Sequence, residues 1–226
     1  MRYRRAQAGT DLRLWPNGQL KMDCDANGVV LADRVGWCLA NFARHPDAVA
    51  AQLTEAHVAA LRLYTTAAFV SLNPSLRDQD RFNSQRPHHF PITVKLIAEA
   101  AGQLKAVRSG TADAAQSRVL FRGLKNVAPP DQFMRDGGTE LGMMSATFDA
   151  NVAVRYSAAA HGVVLRFQTA GWEERGADIA FLSAFPAEAE VLYPPLTFIR
   201  PLRQQPESMD VDGTTFRVID VTPRRA

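Results

Sequence analysis

Cysteine and histidine are scarce in this 226-residue chain, which limits the metal and disulfide chemistry that it can carry. The two cysteines, Cys24 and Cys38, have no CxxC spacing and no neighbouring histidine cluster, so neither a disulfide framework nor a zinc site is indicated. The five histidines, including the adjacent His88 and His89, show no metal-ligand spacing. We therefore expect a protein without a metal, in a compartment that keeps thiols reduced.

Long apolar runs and several common enzyme motifs are also missing. No run approaches the roughly 18 apolar residues of a membrane span, and residues 1–10 lack the apolar core of a secretory signal. GxGxxG and GxxxxGKS/T loops are absent, as is a Gly-x-Ser-x-Gly context for a nucleophilic serine. These absences argue against a membrane protein, a P-loop protein and a serine hydrolase. We expect a cytoplasmic protein, or an effector delivered without a cleavable signal peptide.

Charge of one sign is not in large excess, since the formal net charge is +3. Both ends of the chain are basic, MRYRR and TPRRA, but each is too short to indicate nucleic-acid binding. With 46% apolar residues, the chain can bury a core without metal or disulfide staples. We expect a monomer that does not bind nucleic acid.

The front half of the chain predicts helices, because apolar residues recur there at three- and four-residue spacing. The predicted helices cover residues 31–45, 53–72 and 91–107. Thr54 is the expected N-cap of the second helix, and Pro91 suits the first turn of the third. The polar stretch between these two helices, residues 76–89, is expected to be a surface loop.

From about Ser117 the pattern changes to short runs rich in Val, Phe, Leu and Thr, separated by Gly, Pro and Asp, as in a β-rich region. The strand candidates are SRVLFRGL, TELGMMSATF, GVVLRFQT, ADIAFL, AEVLYP, LTFIRPL and TFRVIDVT. One helix, DANVAVRYSAAA, interrupts them, with Asp149 as its expected N-cap. Since no repeat or linker separates the two regions, we predict one α+β domain.

Two glutamates alternate in the stretch AFPAEAEVLYPP, residues 184–195. In an extended chain Glu188 and Glu190 project from the same face, so each raises the pKa of the other. Paired carboxylates serve acid–base chemistry, and they also occur on solvated strand faces. Taken alone, the pair leaves both interpretations open.

Two upstream elements are further candidates. Arg122 lies in the apolar run VLFRGL, where a buried guanidinium is costly unless it meets an anion such as a diphosphate. Alternation along the strand could equally place this arginine on a wet face. In the short stretch SAT, Ser145 and Thr147 share one side of a strand, so their hydroxyls could bond a neighbouring carboxylate or be ordinary strand-edge groups.

Together with LRLYTTAAFVSLNPSLRD and DANVAVRYS, these elements resemble the arginine–serine–glutamate class of mono-ADP-ribosyltransferases, which includes bacterial binary toxins and vertebrate ecto-enzymes. The resemblance implies a catalytic domain at residues 53–226, preceded by an extension of unknown role at residues 1–52. It implies the ADP-ribosyltransferase fold, an α+β fold with N-terminal helices packed on a two-sheet β core and NAD bound in the cleft between them. The implied reaction transfers ADP-ribose from NAD to an arginine of a target protein, releases nicotinamide and needs no metal.

The resemblance also implies a role for each matching residue. Arg122 would hold the NAD phosphates and the nicotinamide ribose, and the backbone of Gly123 would bind the nicotinamide amide. Ser145 would orient Glu190, which would stabilise the ribosyl cation and hold the ribose 2′-hydroxyl. Glu188 would orient and help to deprotonate the acceptor arginine.

Four further residues match by spacing, and each has an ordinary structural alternative. Tyr156 would pack against nicotinamide, although a tyrosine on a helix face is more often part of the core. Asn73 and Arg77 of NPSLR would contact NAD, although this stretch is also typical of a helix start with Pro at its first turn. Phe185 would dock the target protein or anchor its own loop.

Two other functions remain open at the level of sequence. The same residues would support an NAD glycohydrolase, in which water replaces the arginine acceptor. The fold could also serve as a non-catalytic interaction module, whose sign would be the loss of the arginine, the serine or the glutamate. None of the three is lost here.

Overall fold

The computed structural model describes residues 22–25, 29–125, 127, 129–157, 162–211 and 214–225. Helices fill the front half of the described chain. They are α1 (Leu39–Ala43), α2 (Pro46–Ala50), α3 (Glu55–Leu63), α4 (Phe69–Arg77), α5 (Gln79–Asn83) and α6 (Pro91–Arg108), with α7 (Asp131–Asp136) and α8 (Ala150–Ser157) further on. A 3-10 turn (Ala32–Arg34) precedes α1, and a π-helical segment (Tyr64–Ala68) joins α3 to α4.

The predicted capping residues begin their helices as expected. The Thr54 hydroxyl accepts the backbone N–H of His57 at 3.3 Å, which caps α3, and Pro91 occupies the first turn of α6. The Asp149 carboxylate accepts the backbone N–H of Asn151 at 2.8 Å at the start of α8. The predicted last residues of that helix, 158–160, lie outside the described residues.

Two helix-region predictions are wrong in part. The predicted loop at residues 76–89 contains α5, because the Asp78 carboxylate caps the turn by accepting the N–H of Arg81 at 2.9 Å. The predicted helix at residues 31–45 is interrupted, because Gly36 has a φ of +76°, which no right-handed helix accommodates. Only its two ends, the 3-10 turn and α1, are helical.

The rear half of the described chain forms strands. They are β1 (Arg118–Leu124), β2 (Gly138–Glu140), β3 (Met144–Thr147), β4 (Val163–Thr169), β5 (Ala177–Asp178), β6 (Glu190–Tyr193), β7 (Thr197–Pro201), β8 (Glu207–Val211) and β9 (Thr214–Arg225). All seven predicted stretches contain a strand, but ADIAFL contributes only its first two residues. The sequence pattern did not predict β8, because its residues are mostly polar. It is a strand because it pairs with β9.

The described strands form one mixed sheet in the order β2-β7-β9-β4-β1-β3-β6-β5, with β8 paired to β9. Where we predicted two sheets, one sheet has two parts, a larger part that ends in β1 and a three-stranded part formed by β3, β6 and β5. The two parts meet at a single registered pair, Phe121 of β1 opposite Thr147 of β3. The β4–β9 pair is parallel and the other pairs are antiparallel. This order brings β1, β3 and β6 side by side, and these strands carry Arg122, Ser145 and Glu190.

The helices pack on the three-stranded part of the sheet through a shared apolar core. Leu61, Ile97, Met143 and Leu192 are fully buried in it. Phe42 of α1 belongs to the same core, although it precedes the domain boundary predicted at residue 52. That boundary stays a prediction. No helix within the described ranges has the length and apolar character needed to cross a bilayer.

Gly123 sets how closely β1 and α8 approach. A Cβ at this position would overlap the carbonyl oxygen of Ala153 and lie 2.7 Å from the backbone nitrogen of Ser157. We therefore expect Gly123→Ala to lower the free energy of unfolding by about 1–3 kcal/mol, as overpacking does in buried sites. Urea denaturation followed by circular dichroism measures the change.

The matched control is Gly102→Ala in α6, because a Cβ at Gly102 meets nothing within 4 Å. There we expect a gain of up to about 1 kcal/mol from the higher helix propensity of alanine. Equal stabilities for wild type and Gly123→Ala would contradict the packing described.

Candidate active site

The site is centred on a hydrogen bond between β3 and β6. Glu190 is the first residue of β6 and lies opposite Thr147, so Ser145 is two residues along on the same face of β3. The Ser145 hydroxyl donates to Oε1 of Glu190 at 2.6 Å, and the Ser183 hydroxyl donates to Oε2 at 3.4 Å. The Glu190 side chain is buried, with 9% of the residue exposed.

Burial controls the protonation of Glu190. Removal from water raises the pKa of this carboxyl to about 7, and the negative charge of Glu188 acts in the same direction. Hydrogen bonds from Ser145 and Ser183 and the positive charge of Arg122 act against the increase. The carboxyl is therefore set to change its ionisation near neutral pH, as groups at catalytic sites often are.

Arg122, on β1, lies close to the Glu190 carboxyl. Its Nη1 donates to the backbone oxygen of Ser145 at 2.6 Å, and burial lowers the pKa of the guanidinium. An arginine remains charged even so. Within the described part of the chain, no carboxylate forms an ion pair with it. A half-buried cation of this kind can bind the oxygens of a phosphate or diphosphate.

The backbone conformation at Glu188 differs from the one that the sequence pattern predicts. It ends a 3-10 turn (Pro186–Glu188), and Ala189 follows in the left-handed conformation with a φ of +44°. The prediction that Glu188 and Glu190 alternate along one extended strand is therefore wrong. The predicted effect of the Glu188 charge on the pKa of Glu190 is present nevertheless.

Neighbouring elements hold the 3-10 turn. The Tyr156 hydroxyl, on α8, donates to Oε1 of Glu188 at 2.9 Å, and the Thr147 hydroxyl donates to the backbone oxygen of Glu188 at 2.7 Å. Phe185, just before the turn, is half-buried, and its N–H donates to the Ser183 hydroxyl at 3.0 Å. Nicotinamide packing by Tyr156 and target docking by Phe185 stay predictions.

Asn73 and Arg77 lie on the helical side of the site and bind protein groups. The buried Asn73 amide donates to the backbone oxygen of Met143 at 3.1 Å and accepts its N–H at 3.0 Å. Arg77 forms a bidentate pair with Glu140 at 2.8 and 3.0 Å. Their predicted contacts with NAD stay predictions. The alternative reading of NPSLR as a helix start is wrong, since these residues end α4 and Pro74 lies inside it.

Tyr64 is a site residue that sequence reasoning missed. Its hydroxyl lies 3.0 Å from the Ser145 hydroxyl, so the phenol, the serine and Glu190 form one chain of hydrogen bonds. Burial raises the pKa of this phenol, and the charge of Glu190 adds to the increase. Helical periodicity assigns Tyr64 to the core, and its only sequence signal is its place in the LRLYTTAAF stretch.

The described residues contain no group of three or more His, Cys, Asp and Glu side chains arranged to hold a metal ion. Cys24 is buried and Cys38 is exposed. The charged groups of the site are therefore the buried carboxyl of Glu190, the carboxyl of Glu188 beside it, and the guanidinium of Arg122.

Comparison with known proteins gives one family. The family model described as NAD:arginine ADP-ribosyltransferase matches residues 29–212 of the chain. No curated protein sequence matches it. The match begins before residue 53, where the sequence resemblance was expected to start.

Several solved structures are similar in fold. ADP-ribosyltransferase HopU1 of Pseudomonas syringae superposes with a TM-score of 0.57 at 16% identity, covering 84% of this chain and 90% of HopU1. The Vis toxin of Vibrio splendidus gives a TM-score of 0.53 at 15% identity, covering 84% of this chain and 86% of the Vis chain. Exoenzyme S of Pseudomonas aeruginosa gives 0.52 at 22% identity, covering 84% of each chain. At these identities the similarity shows the fold.

The contacts of Glu190 predict how its titration responds to substitution. With glutamate labelled by ¹³C at the side-chain carboxyl, NMR should show one carboxyl that titrates near pH 7 and disappears in Glu190→Gln. Ser145→Ala should raise this pKa, because the bond to the ionised form is lost. Glu188→Gln should lower it, because a like charge is removed. Glu99→Gln, in α6, is the control and should leave it unchanged. Shifts in the opposite directions would contradict the contacts described.

The raised pKa also predicts the pH dependence of folding. The folded state holds the Glu190 proton more tightly than the unfolded state, so this group lowers stability as pH rises from about 4.5 to about 7. Glu190→Gln removes this cost. The free energy of unfolding of Glu190→Gln, relative to that of the wild type, should therefore increase by up to about 3 kcal/mol between pH 4.5 and pH 7. Chemical denaturation at several pH values measures it, and a pH-independent difference would contradict the burial of an ionisable carboxyl.

Proposed function

Because the chain belongs to the NAD:arginine ADP-ribosyltransferase family, we propose that it transfers ADP-ribose from NAD to an arginine side chain of a target protein. Nicotinamide is the leaving group, and NAD is the co-substrate. The observation that carries the proposal is the 2.6 Å hydrogen bond from Ser145 to Glu190, with Arg122 bound to the backbone of Ser145 and Glu188 two residues before Glu190.

The proposed roles in NAD binding follow from charge and position. Arg122 presents a planar fork of donors that matches the oxygens of a diphosphate. Gly123, next to it on β1, offers its backbone to the nicotinamide amide, while its missing side chain admits the backbone of α8 at Ala153 and Ser157. Tyr156 packs against nicotinamide. Arg77 reaches the phosphates from the helical side by exchanging its bond with Glu140.

The bond that breaks joins the nicotinamide nitrogen to C1′ of the ribose. Its electron pair leaves with nicotinamide, and the ribose develops oxocarbenium character, as in glycoside hydrolysis. The Glu190 carboxylate stabilises this cation, and its burial strengthens the attraction because little water screens it. Ser145 and Tyr64 hold the carboxylate in place. Only the ionised form acts, so the rate should rise with pH through about 7.

The acceptor arginine needs a base, because a guanidinium is almost wholly protonated at neutral pH. We assign this role to Glu188, which accepts a proton as the guanidino nitrogen bonds to C1′. Its carboxylate lies on a half-buried turn, oriented by Tyr156, and Phe185 leads into the same turn. An incoming side chain would therefore meet Phe185 and Glu188 together.

Agmatine is a suitable small acceptor because it carries the guanidinium of arginine, and the similar Vis enzyme has been solved in complex with it. With NAD and agmatine, wild type should release nicotinamide and form ADP-ribosyl-agmatine, both measured by mass spectrometry. Glu188→Gln should lose the adduct by at least about 100-fold while nicotinamide release continues. Glu190→Gln should lose both by about 100- to 1,000-fold.

Glu99→Gln is the control and should behave as wild type. If agmatine does not change the rate of nicotinamide release and no adduct forms, water is the acceptor. The protein would then be an NAD glycohydrolase. If the wild-type protein is folded but does not turn over NAD, the remaining interpretation is a non-catalytic interaction module.

A further inference from the structure

The loop at residues 179–190 carries Ser183, Phe185 and Glu188 of the proposed site and ends at Glu190. Its two ends are joined, because the N–H of Ile179 donates to the backbone oxygen of Glu190 at 3.0 Å. A loop closed in this way depends on contacts along its length to keep one shape. Its second half is held by Tyr156 and Thr147.

Two arginines bind the first half of the loop through four consecutive carbonyl groups. Arg34 donates to the backbone oxygens of Ala180, Phe181 and Ser183 at 3.1, 2.5 and 3.0 Å, and Arg62 donates to that of Leu182 at 3.1 Å. These carbonyls lie outside the strands, so they need partners from elsewhere. A guanidinium can supply them because it carries five N–H donors in a fixed plane.

Asp23 holds both guanidinium groups and also touches the loop directly. Its carboxylate accepts from Arg34 at 3.1 Å and from Arg62 at 2.7 Å, and its N–H donates to the backbone oxygen of Ala184 at 2.8 Å. The guanidinium of Arg62 also lies 4.2 Å from the ring centroid of Phe42, a favourable cation–π distance. The cluster is compact, with Arg34 and Arg62 side chains only 8% and 18% exposed.

The cluster connects to Glu190 through a short series of contacts. Arg34 binds the backbone oxygen of Ser183, whose hydroxyl donates to Glu190 and accepts the N–H of Phe185. Next along the chain, the N–H of Ala184 donates to the Thr65 hydroxyl at 2.9 Å. A shift of the first half of the loop would therefore move Ser183 relative to Glu190 and change where the turn carrying Glu188 begins.

We propose that Arg34, held by Asp23 together with Arg62, is a positioning residue that fixes the loop bearing Ser183, Phe185 and Glu188 for transfer to the acceptor. The proposal rests on the proposed function. It gives part of residues 1–52, predicted as an extension of unknown role, a place in the catalytic unit. Arg34 touches no reacting group, so its effect passes entirely through the loop backbone.

The test compares Arg34→Met with Arg175→Met. Arg175 is a close match, because its guanidinium binds the backbone oxygens of Asp113, Ala114 and Gln116, pairs with the Asp113 carboxylate and is 10% exposed. Arg175 lies between β4 and β5, and the carbonyls that it binds belong to a different loop, between α6 and β1. Both variants should lose thermal stability to a similar extent, so a purely structural role predicts the same kinetics for both.

We expect Arg34→Met to lower kcat for ADP-ribosyl-agmatine formation by about 10- to 100-fold, the effect of small misplacements at reacting centres. The KM for NAD should change little, and the ratio of agmatine adduct to free ADP-ribose should fall. Arg175→Met should keep that ratio. Arg34→Lys should recover only part of the loss, because an ammonium is a point charge without the planar fork.

A second measurement does not depend on activity. Amide hydrogen exchange at residues 180–190 should become faster in Arg34→Met and stay unchanged in Arg175→Met. Asp23→Asn, which keeps the shape and removes the charge, should give intermediate effects and replaces Arg34→Met if that variant fails to fold. The proposal would be overturned if Arg34→Met and Asp23→Asn both showed the same product ratio and the same amide exchange in the loop as the wild type. If wild type does not turn over NAD, the proposed function fails, and loop exchange alone decides whether Arg34 fixes this loop.

Discussion

The proposed site depends on keeping one buried carboxylate, that of Glu190, able to ionise. Burial alone would hold Glu190 protonated well above its ordinary range, and a neutral acid could not stabilise a cation. Hydrogen bonds from Ser145 and Ser183 and the charge of Arg122 oppose burial, so the pKa settles at about 7. The same burial that makes ionisation costly removes the water that would screen the carboxylate, which is what electrostatic stabilisation of a transition state requires.

The fold supplies these partners from separate parts of the chain. Ser145 and Glu190 come together on one face of the sheet because the antiparallel pairing of β3 and β6 places Glu190 opposite Thr147, two residues from Ser145. Arg122 is brought alongside where the two parts of the sheet meet at one residue pair. Tyr64 enters from the π-helical segment, in a helical layer whose core is shared with this part of the sheet. Each element carries one or two groups of the site, so the site exists only in the folded chain.

Much of this could be predicted from the sequence, and the exceptions have physical reasons. Thr54 and Pro91 act locally, and their helices begin where expected. The geometry of Glu188 was missed because a non-glycine residue, Ala189, adopts a left-handed conformation that alternation cannot signal. Tyr64 resembles an ordinary core residue until its hydroxyl is seen beside Ser145. The bonds of Arg34 to residues 180, 181 and 183 join distant parts of the chain, and no local pattern encodes them.

In the proposed reaction, ionised Glu190 supports cleavage of the bond between nicotinamide and ribose. The most direct test is the pH dependence of kcat/KM for nicotinamide release from NAD, which reports the ionisation of groups in the free enzyme. We expect a rate that rises tenfold per pH unit at acidic pH and levels off above about pH 7, the pKa of Glu190. A rate that is constant from about pH 5 to pH 9 would contradict it, because catalysis would then not require the carboxylate form.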